Sequence, residues 1–570
     1  MKNATCKIGL EDSSNHVMND LDKIRAHHAP IVIDIETPGQ VDAYAPDARI
    51  LMIGVALSPT EAYVFSTEKD IRPLLDVLQH KPLIAHNAKF ERNWLRKAYG
   101  FEGYFYVDTM LLAHYVNEKQ PVGLETLAQE FFDAPAYGEN IDYVNEPWES
   151  YAAYCAEDCK YTYALYELWK YRAADPYFCF IMEFSRAVWD MEYNGIKFSG
   201  KANAELHTYL LDLERMYQPD APDVNLNSPQ QVAKWMVDSG VPLTHRTETG
   251  KLSVSEDATM HLRSEYPIVD QYRKWKDIRS LIVKYTTKWP DYVMPDGRIH
   301  ASYFPLTDTG RHSAKNPNMQ QVPRDPQHKM KRVFIPDAGN EMISWDASQV
   351  ELRVAAIVAP DENMRKLYRD GVDIHQATAN TMVGGEADSE ERQQAKAINF
   401  GFLYGMGATK FTSHAFKEYG AVFSESDAWA AREAYFRAYP GLREWHERTE
   451  YYVRRNQELT TIFGRTRHLK EVLSDDPKYA YHAIRQGINF LVQSPAADIT
   501  HAALIALQDI KEAKVVASVH DSVVWEQPKG TGGAIAETLM DKAMVVLEQW
   551  FGFESPIPFE AEWTIGEYWT

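Results

Sequence analysis

The chain is poor in cysteine. Four occur among 570 residues (Cys6, Cys155, Cys159 and Cys179), too few for a disulfide framework. No apolar run approaches the ~18 residues that a membrane-spanning helix needs. The first fifteen residues lack the apolar core of a secretory signal. A P-loop, an internal repeat and a low-complexity tract are absent too. These gaps predict a protein of a reducing, cytoplasmic compartment with no membrane attachment. Basic residues are also in deficit: 60 Lys and Arg stand against 81 Asp and Glu, a formal net charge of −21. Nucleic-acid binders usually carry the opposite excess. Net charge, however, governs solubility and long-range steering more than what one groove does. Its location matters more. Residues 101–150 hold ten acids and one base, Lys119, whereas Arg311–Arg332 hold six bases and one acid, Asp325.

What remains is ordinary globular composition, 45% hydrophobic and 25% charged, with length for about three or four structural units. Cys155 and Cys159 lie one helical turn apart. Without a second Cys/His pair at zinc spacing they read as packed thiols. The apolar runs Ile31–Ile35 and Ile50–Leu57 predict two paired strands. Helical stretches are expected near 68–80, 88–98, 122–132 and 148–172, making the first third an α/β unit. Ala173-Ala174-Asp175-Pro176 is a plausible break. A long amphipathic helix should then stop at Gly195. Helical patterns fill 201–290 and 362–457. Met342–Trp345 reads as a strand running into Asp346. Val515–Val519 and Val523–Trp525 read as a hairpin with His520-Asp521-Ser522 at its tip.

Carboxylates recur where strands end. Asp34 and Glu36, at i and i+2 on a strand, share one face. Such a pair repels itself unless a cation neutralises it, and an all-oxygen set suits Mg²⁺ or Mn²⁺. Glu91 follows the apolar Leu83-Ile84-Ala85, and Tyr154 and Asp158 lie one turn apart on a helix. Further on, Asp346 and Asp521 converge if their strands are neighbours. Two metals there could clamp both oxygens of an in-line displacement at phosphorus. Arg392, Lys396, Phe400 and Tyr404 recur every four residues, a helical stripe running from two cations to two aromatics. Cations suit a triphosphate and aromatics a sugar and base. A helix with a solvated basic end and a packed aromatic end has the same spacing.

The first carboxylate series, Asp34, Glu36, Glu91 and Asp158 with Tyr154 four residues before the last, resembles the DEDD-type 3′–5′ exonucleases. The resemblance implies that the carboxylates hold two metal ions and that Tyr154 orients the attacking water. One departure stands out: the third carboxylate is usually Asp, and the extra methylene of Glu91 moves its oxygens by more than ~1 Å.

The rest of the chain resembles the family A DNA polymerases. Asp346-Ala-Ser-Gln-Val-Glu351-Leu-Arg353, Arg392–Gly405 and Val519-His520-Asp521 look like that family's motifs A, B and C, in order. Thr309-Gly310-Arg311, Asn316–Gln320, Asp373-Ile374-His375, Phe463-Gly464-Arg465 and Arg485-Asn489-Gln493 fall in the family's sequence as well. Met191–Ile196 and Asn225–Pro229 resemble its thumb signatures. Motif A has Ala347 where many members have Tyr, and motif C has Ser522 where many have Glu.

The resemblance implies an RNase H-like mixed-sheet exonuclease domain (1–180) and a right-hand polymerase. The latter comprises thumb and adjoining palm (181–300), palm with motif A (301–361), fingers with motif B (362–460) and palm with motif C (461–570). Asp346 and Asp521 would hold two Mg²⁺ ions, with Mn²⁺ a substitute. Gln349, His375, Arg392 and Lys396 would bind the nucleotide, with Lys396 a candidate acid for pyrophosphate. Glu351 would gate against the ribose 2′-hydroxyl, Phe400 pack on the sugar and Tyr404 stack near the templating base. Arg311, Arg485, Asn489, Gln493 and His520 would bind DNA, using minor-groove acceptors common to every base pair.

The expected partners are primer-template DNA, deoxynucleoside triphosphates and replisome proteins, met by a monomer. A compact phage-type polymerase, working in the host cytoplasm, is the expected setting. No 5′-nuclease domain fits before residue 34, and no insertion for a processivity subunit is evident between 225 and 300. Four alternatives stay open. They are a single-subunit RNA polymerase, a nuclease whose C-terminal part only grips DNA, a non-catalytic scaffold, and a polymerase with an impaired exonuclease.

Overall fold

The computed structural model describes residues 14–39, 43–136, 147–324 and 327–570, with side chains from Asp20 onward. Cys6 and Asp325 lie outside the described residues. The first sheet contains β1 (Ile31–Glu36), β2 (Met52–Ser58), β3 (Glu61–Ser66), β4 (Leu83–Ala85) and β5 (Phe105–Asp108), in the spatial order β3-β2-β1-β4-β5. β1 pairs antiparallel with β2 and parallel with β4, so the sheet is mixed. Ile31, Val32 and Ile33 are fully buried, as a central strand covered on both faces requires.

Helices that position the sites are numbered here in chain order. α1 (Lys89–Tyr99) follows β4 and begins two residues before Glu91. α2 (Trp148–Ala173) crosses the sheet over β1, β2 and β3. α3 (Pro176–Asn194) starts after the Ala174-Asp175 break and ends at Gly195, which takes a left-handed φ of +58°. Pro176 at the first helical position suits that start, because its missing N–H has no intrahelical partner to lose.

The second sheet is antiparallel. It contains β6 (Asn340–Ala347), β7 (Lys514–Val519), β8 (Ser522–Pro528) and β9 (Ala561–Gly566), ordered β7-β8-β6-β9. β6 carries motif A and lies between the second arm of the hairpin and the last strand. Trp345 and Trp525 are wholly buried in this sheet. α4 (Val350–Val358) leaves β6, and α5 (Ser389–Leu403) carries the cation–aromatic stripe. α6 (Pro477–Gln508) is long and apolar enough to cross a membrane, yet 89% of its apolar window is buried inside the protein. It is a core helix, packed on α3 and α4. One hydrophobic core runs from Leu21 to Trp569, joining both sheets. A smaller one, with Leu226, Val232, Met236 and Trp275, lies within the helices that follow α3.

The expected elements form with small shifts at their ends. Tyr404 departs from the stripe: α5 stops at Leu403, and Tyr404 is its C-cap with φ −89° and ψ 18°. Gly405 follows at φ +67°, a helix stop of the usual kind.

Candidate active sites

The first site sits at the end of β1. Asp34 faces the same side as Gly54, its register partner on β2. One oxygen each of Asp34, Glu36 and Asp158 lie within 4.8 Å of one another. The Tyr151 hydroxyl bonds Glu36 Oε2 at 2.9 Å and the Tyr151 and Tyr154 rings stack at 6.4 Å. Burial, then Asp158, pushes Glu36 up to about 8, against the Tyr151 hydrogen bond. Asp34 is also raised well above the usual carboxylate range, first by burial, with Glu36, Cys159, Asp158 and Glu91 adding to it. Hard oxygen donors that repel one another this strongly fit a divalent cation.

Glu91 differs. It is buried in the first turn of α1, outside the close trio, with Oε2 buried and unbonded. Its field still reaches Asp34, and burial raises its own proton affinity.

Two residues at this site were not singled out in the sequence. Tyr151 lies one turn before Tyr154, so its reach to Glu36 follows from helical spacing once Asp158 is placed. Asp108 is buried, caps the helix Thr109–Val116, and accepts from the N–H groups of Asn87 and Ala88 at 3.0 and 2.9 Å. It thereby ties the turn that launches Glu91 to the end of β5. The cap signature Asp108-Thr109 before an apolar run was its signal.

The second site lies where β6 and the β7–β8 hairpin end, at one end of the antiparallel sheet. Asp346 pairs with Ser522 in the β6–β8 register, and Ala347 N–H donates to the Asp521 carbonyl at 3.2 Å. The hairpin tip is a two-residue turn, His520-Asp521, with His520 at φ +54°. Gln320 holds that tip from outside. Its Oε1 accepts from His520 N–H at 2.8 Å and its Nε2 donates to Ser518 O at 3.0 Å. Asp521 Oδ1 is buried without a hydrogen bond, 3.7 Å from Arg311. Burial pushes Asp521 up to about 7; Arg311 opposes this, while Glu351 and Asp346 add to it. An unbonded buried carboxylate oxygen beside a second acid again fits a cation.

Of the predicted residues, Arg311 and Glu351 lie beside Asp521, while His375, Arg392 and Phe400 form a group of their own with Asp373 and Asn399. Arg311 pairs with Glu351, and Tyr404 donates to the other Glu351 oxygen. Gln493 bonds the Tyr404 hydroxyl in turn. DNA contact by Arg311 therefore requires exchange of carboxylate partners. Arg392 is held by Asp373 at 2.5 Å, so a phosphate must compete with that carboxylate. His375 is buried and kept neutral, its pKa lowered to about 4 by burial. Thr378 donates to Asn399 Oδ1 at 3.0 Å, which turns the Asn399 amide nitrogen to His375 Nδ1 at 2.8 Å. The neutral ring therefore carries its proton on Nε2. Phe400 lies 5.9 Å from the His375 ring, and Lys396 is half-buried on the same stripe. Gln349 caps α4 at φ +52° and accepts from Tyr368 at 3.3 Å. Arg485, Asn489 and Gln493 are half-buried and recur every four residues along α6.

The basic segment also has a place. Arg324, Lys329, Lys331 and Arg332 line a cleft of about 890 Å³ with Asp346 on its wall. Arg324 reaches Asp346 at 3.5 Å.

Comparison with known proteins gives these sites a family. Residues 197–570 match the family described as DNA polymerase family A, and residues 11–170 match 3′-5′ exonuclease. "DNA polymerase I" of Treponema pallidum is 27% identical over 90% of the chain and 54% of its own length. "DNA polymerase I, thermostable" of Thermus aquaticus is 34% identical over 60% of the chain and 42% of its own. The chain spans about half the length of the curated relatives it matches. In fold it is similar to the POL domain of Pol1 from M. smegmatis, solved with DNA primer-template and dNTP. That likeness has a TM-score of 0.83 over 98% of both chains at 22% identity. The chain belongs to DNA polymerase family A, with a 3′–5′ exonuclease segment ahead of its polymerase segment.

Proposed function

We propose that the protein extends a DNA primer on a template by two-metal phosphoryl transfer and trims the 3′ end with its N-terminal site. The observation that carries this is the approach of Asp346 and Asp521 at the ends of adjoining strands, with Asp521 Oδ1 buried and unbonded, beside a basic cleft. Bound there, two Mg²⁺ ions would acidify the primer 3′-hydroxyl and offset charge on the triphosphate and the leaving pyrophosphate. Asp346 and Asp521 would hold them. Lys396 supplies a proton to pyrophosphate, and Arg392 leaves Asp373 to bind phosphate. His375 donates from Nε2 without adding charge. Glu351, braced by Arg311 and Tyr404, blocks a 2′-hydroxyl, which favours deoxynucleotides over the RNA polymerase reading. Phe400 packs the sugar. Gln349 takes part in the nucleotide site. Arg485, Asn489, Gln493 and His520 contact the duplex.

At the first site Asp34, Glu36 and Asp158 would hold the metals and Tyr154 would orient the attacking water. A second reading, a weakened nuclease, is favoured by Glu91, which stands apart from the close trio. The same proposal has the protein act as a monomer in the cytoplasm, with replisome proteins as further partners.

Primer extension with parallel digestion of a mismatched 3′ end tests the reading. Asp521→Ala should abolish extension and spare digestion, and Asp34→Ala should do the reverse. No extension by the wild-type protein with Mg²⁺ and all four deoxynucleotides would sink it. A Glu91→Asp variant that digests no faster than wild type removes the case for a weakened nuclease.

A further inference from the structure

Asp34 has a second neighbourhood. Beside it on α2 are the thiols of Cys155 and Cys159, both fully buried. One Asp34 oxygen and the two sulfurs lie within 4.8 Å of one another, and Cys155 Sγ stands 3.6 Å from Asp34 Oδ2. Gly54 makes the room for them. A Cβ there would lie 2.6 Å from Cys159 Sγ and 2.7 Å from Cys155 Sγ. Because Gly54 is the register partner of Asp34, the three donors converge over one point of the sheet. Zinc binds sulfur at about 2.3 Å and carboxylate oxygen at about 2.0–2.2 Å, and a tetrahedral site then spaces sulfur and oxygen by about 3.5 Å. The observed 3.6 Å matches that edge. In the metal-free chain the Cys155 thiol donates to Asp34 Oδ2 across that same edge.

We propose that Asp34, Cys155 and Cys159 form a site for one soft divalent cation of the zinc or cadmium type. We also infer that this ion competes with the hard cation for Asp34. Thiolates select soft ions, whereas Glu36 and Asp158 offer only hard oxygen. The binding step moves no electrons: two S–H bonds break, two metal–sulfur bonds form, and two protons leave to solvent. Three protein donors leave one position for water, the pattern of an open zinc site. An ion held by the thiols draws Asp34 from Glu36 and Asp158 and stops digestion, a consequence that rests on the nuclease reading above. Extension is untouched, because neither thiol is near Asp346 or Asp521: α2 lies on the first sheet, not the second.

The test uses the full chain carrying Cys6→Ser and Cys179→Ser, so that Cys155 and Cys159 are the remaining thiols. Cadmium is titrated in and read by its ultraviolet thiolate charge-transfer band. The band should saturate at one ion per chain and vanish on either Cys155→Ser or Cys159→Ser. Asp34→Asn should weaken binding by at least about tenfold, and Mg²⁺ should raise the apparent Kd. Absence of the band, its survival in either serine variant, or unchanged affinity in Asp34→Asn overturns the site. Cadmium should arrest digestion in the parent and spare it in Cys155→Ser, with extension in the same samples reporting the fold. Equal arrest in both overturns the competition. A chain that never digests with Mg²⁺ fails the nuclease reading, and the band then still decides the site.

Discussion

Replacing Lys89 by Met should loosen the nuclease helix from the polymerase body. Lys89 opens α1, and its ammonium crosses to the other half of the chain. It reaches Glu192 Oε1 at 3.1 Å, Ser302 Oγ at 2.9 Å and the Tyr303 carbonyl at 2.8 Å. Its side chain is 10% exposed and that of Glu192 6%, so water does not screen the pair. Burial lowers the proton affinity of Lys89 and raises that of Glu192, with the partner opposing each shift. Methionine keeps the length of the side chain and removes the charge. Glu192 is then left buried, still accepting from Tyr303 N–H but without its cation. Removing one member of a buried pair costs about 3–5 kcal/mol. A chain with several structural units does not unfold in one step, so local hydrogen exchange is the better assay. A cost near 3 kcal/mol should accelerate exchange of the α1 amides by roughly a hundredfold. The double variant Lys89→Met/Glu192→Gln should recover part of the loss, with coupling of about 2 kcal/mol. A single-variant cost below about 1 kcal/mol, or strict additivity, refutes the reasoning.

Three further outcomes follow from the polymerase site. Phe400→Tyr should reduce discrimination against dideoxynucleotides by about tenfold, the worth of one hydrogen bond near 1.4 kcal/mol; unchanged incorporation ratios would remove Phe400 from the sugar. Lys331, lowered to about 8 chiefly by burial and then by Arg324, is a cation below that pH and loses its charge as pH rises through it. Duplex affinity should therefore fall between pH 7 and 9 with a salt slope smaller by up to about 1, and Lys331→Gln should abolish that pH dependence. Gln320→Ala frees His520 N–H, leaves Ser518 O to His312 Nε2 alone among these side chains, and loosens the turn that carries Asp521. Extension should slow by roughly tenfold while digestion holds; an unchanged extension rate would show that the turn stands without Gln320.

The sequence was most legible where one residue type has one physical use. The Ile31–Ile35 run could only be a buried strand, and the two-residue spacing of Asp34 and Glu36 put both acids at one site. The hairpin around Asp521 was readable because β-rich runs flank a polar tip. Partner choice was not readable. Arg311 reads as a DNA contact, and its pairing with Glu351 and its place 3.7 Å from Asp521 are not recorded in spacing along the chain. Arg392 likewise is claimed by Asp373, nineteen residues away. Asp108 and Tyr151 went unnoticed because their work is local bonding to backbone and to Glu36, which many capping acids and helical tyrosines perform. Glu91 departs from the motif by one methylene and stands outside the close trio.

One helix connects these observations. α3 follows the nuclease helix α2 after a two-residue break, and carries both Asp190 and Glu192. Asp190 takes Arg92 and Arg96 of α1, each at 2.7 Å, while Glu192 takes Lys89. Elsewhere α3 lies against β7 and α6, and Tyr177 bonds Asp498 at 2.8 Å. The first 175 residues are therefore not a detachable cassette. A chimera that joins a foreign nuclease segment at that break must bring cations of matching register for Asp190 and Glu192. Otherwise it strands two acids on a helix that the polymerase half needs for its own core.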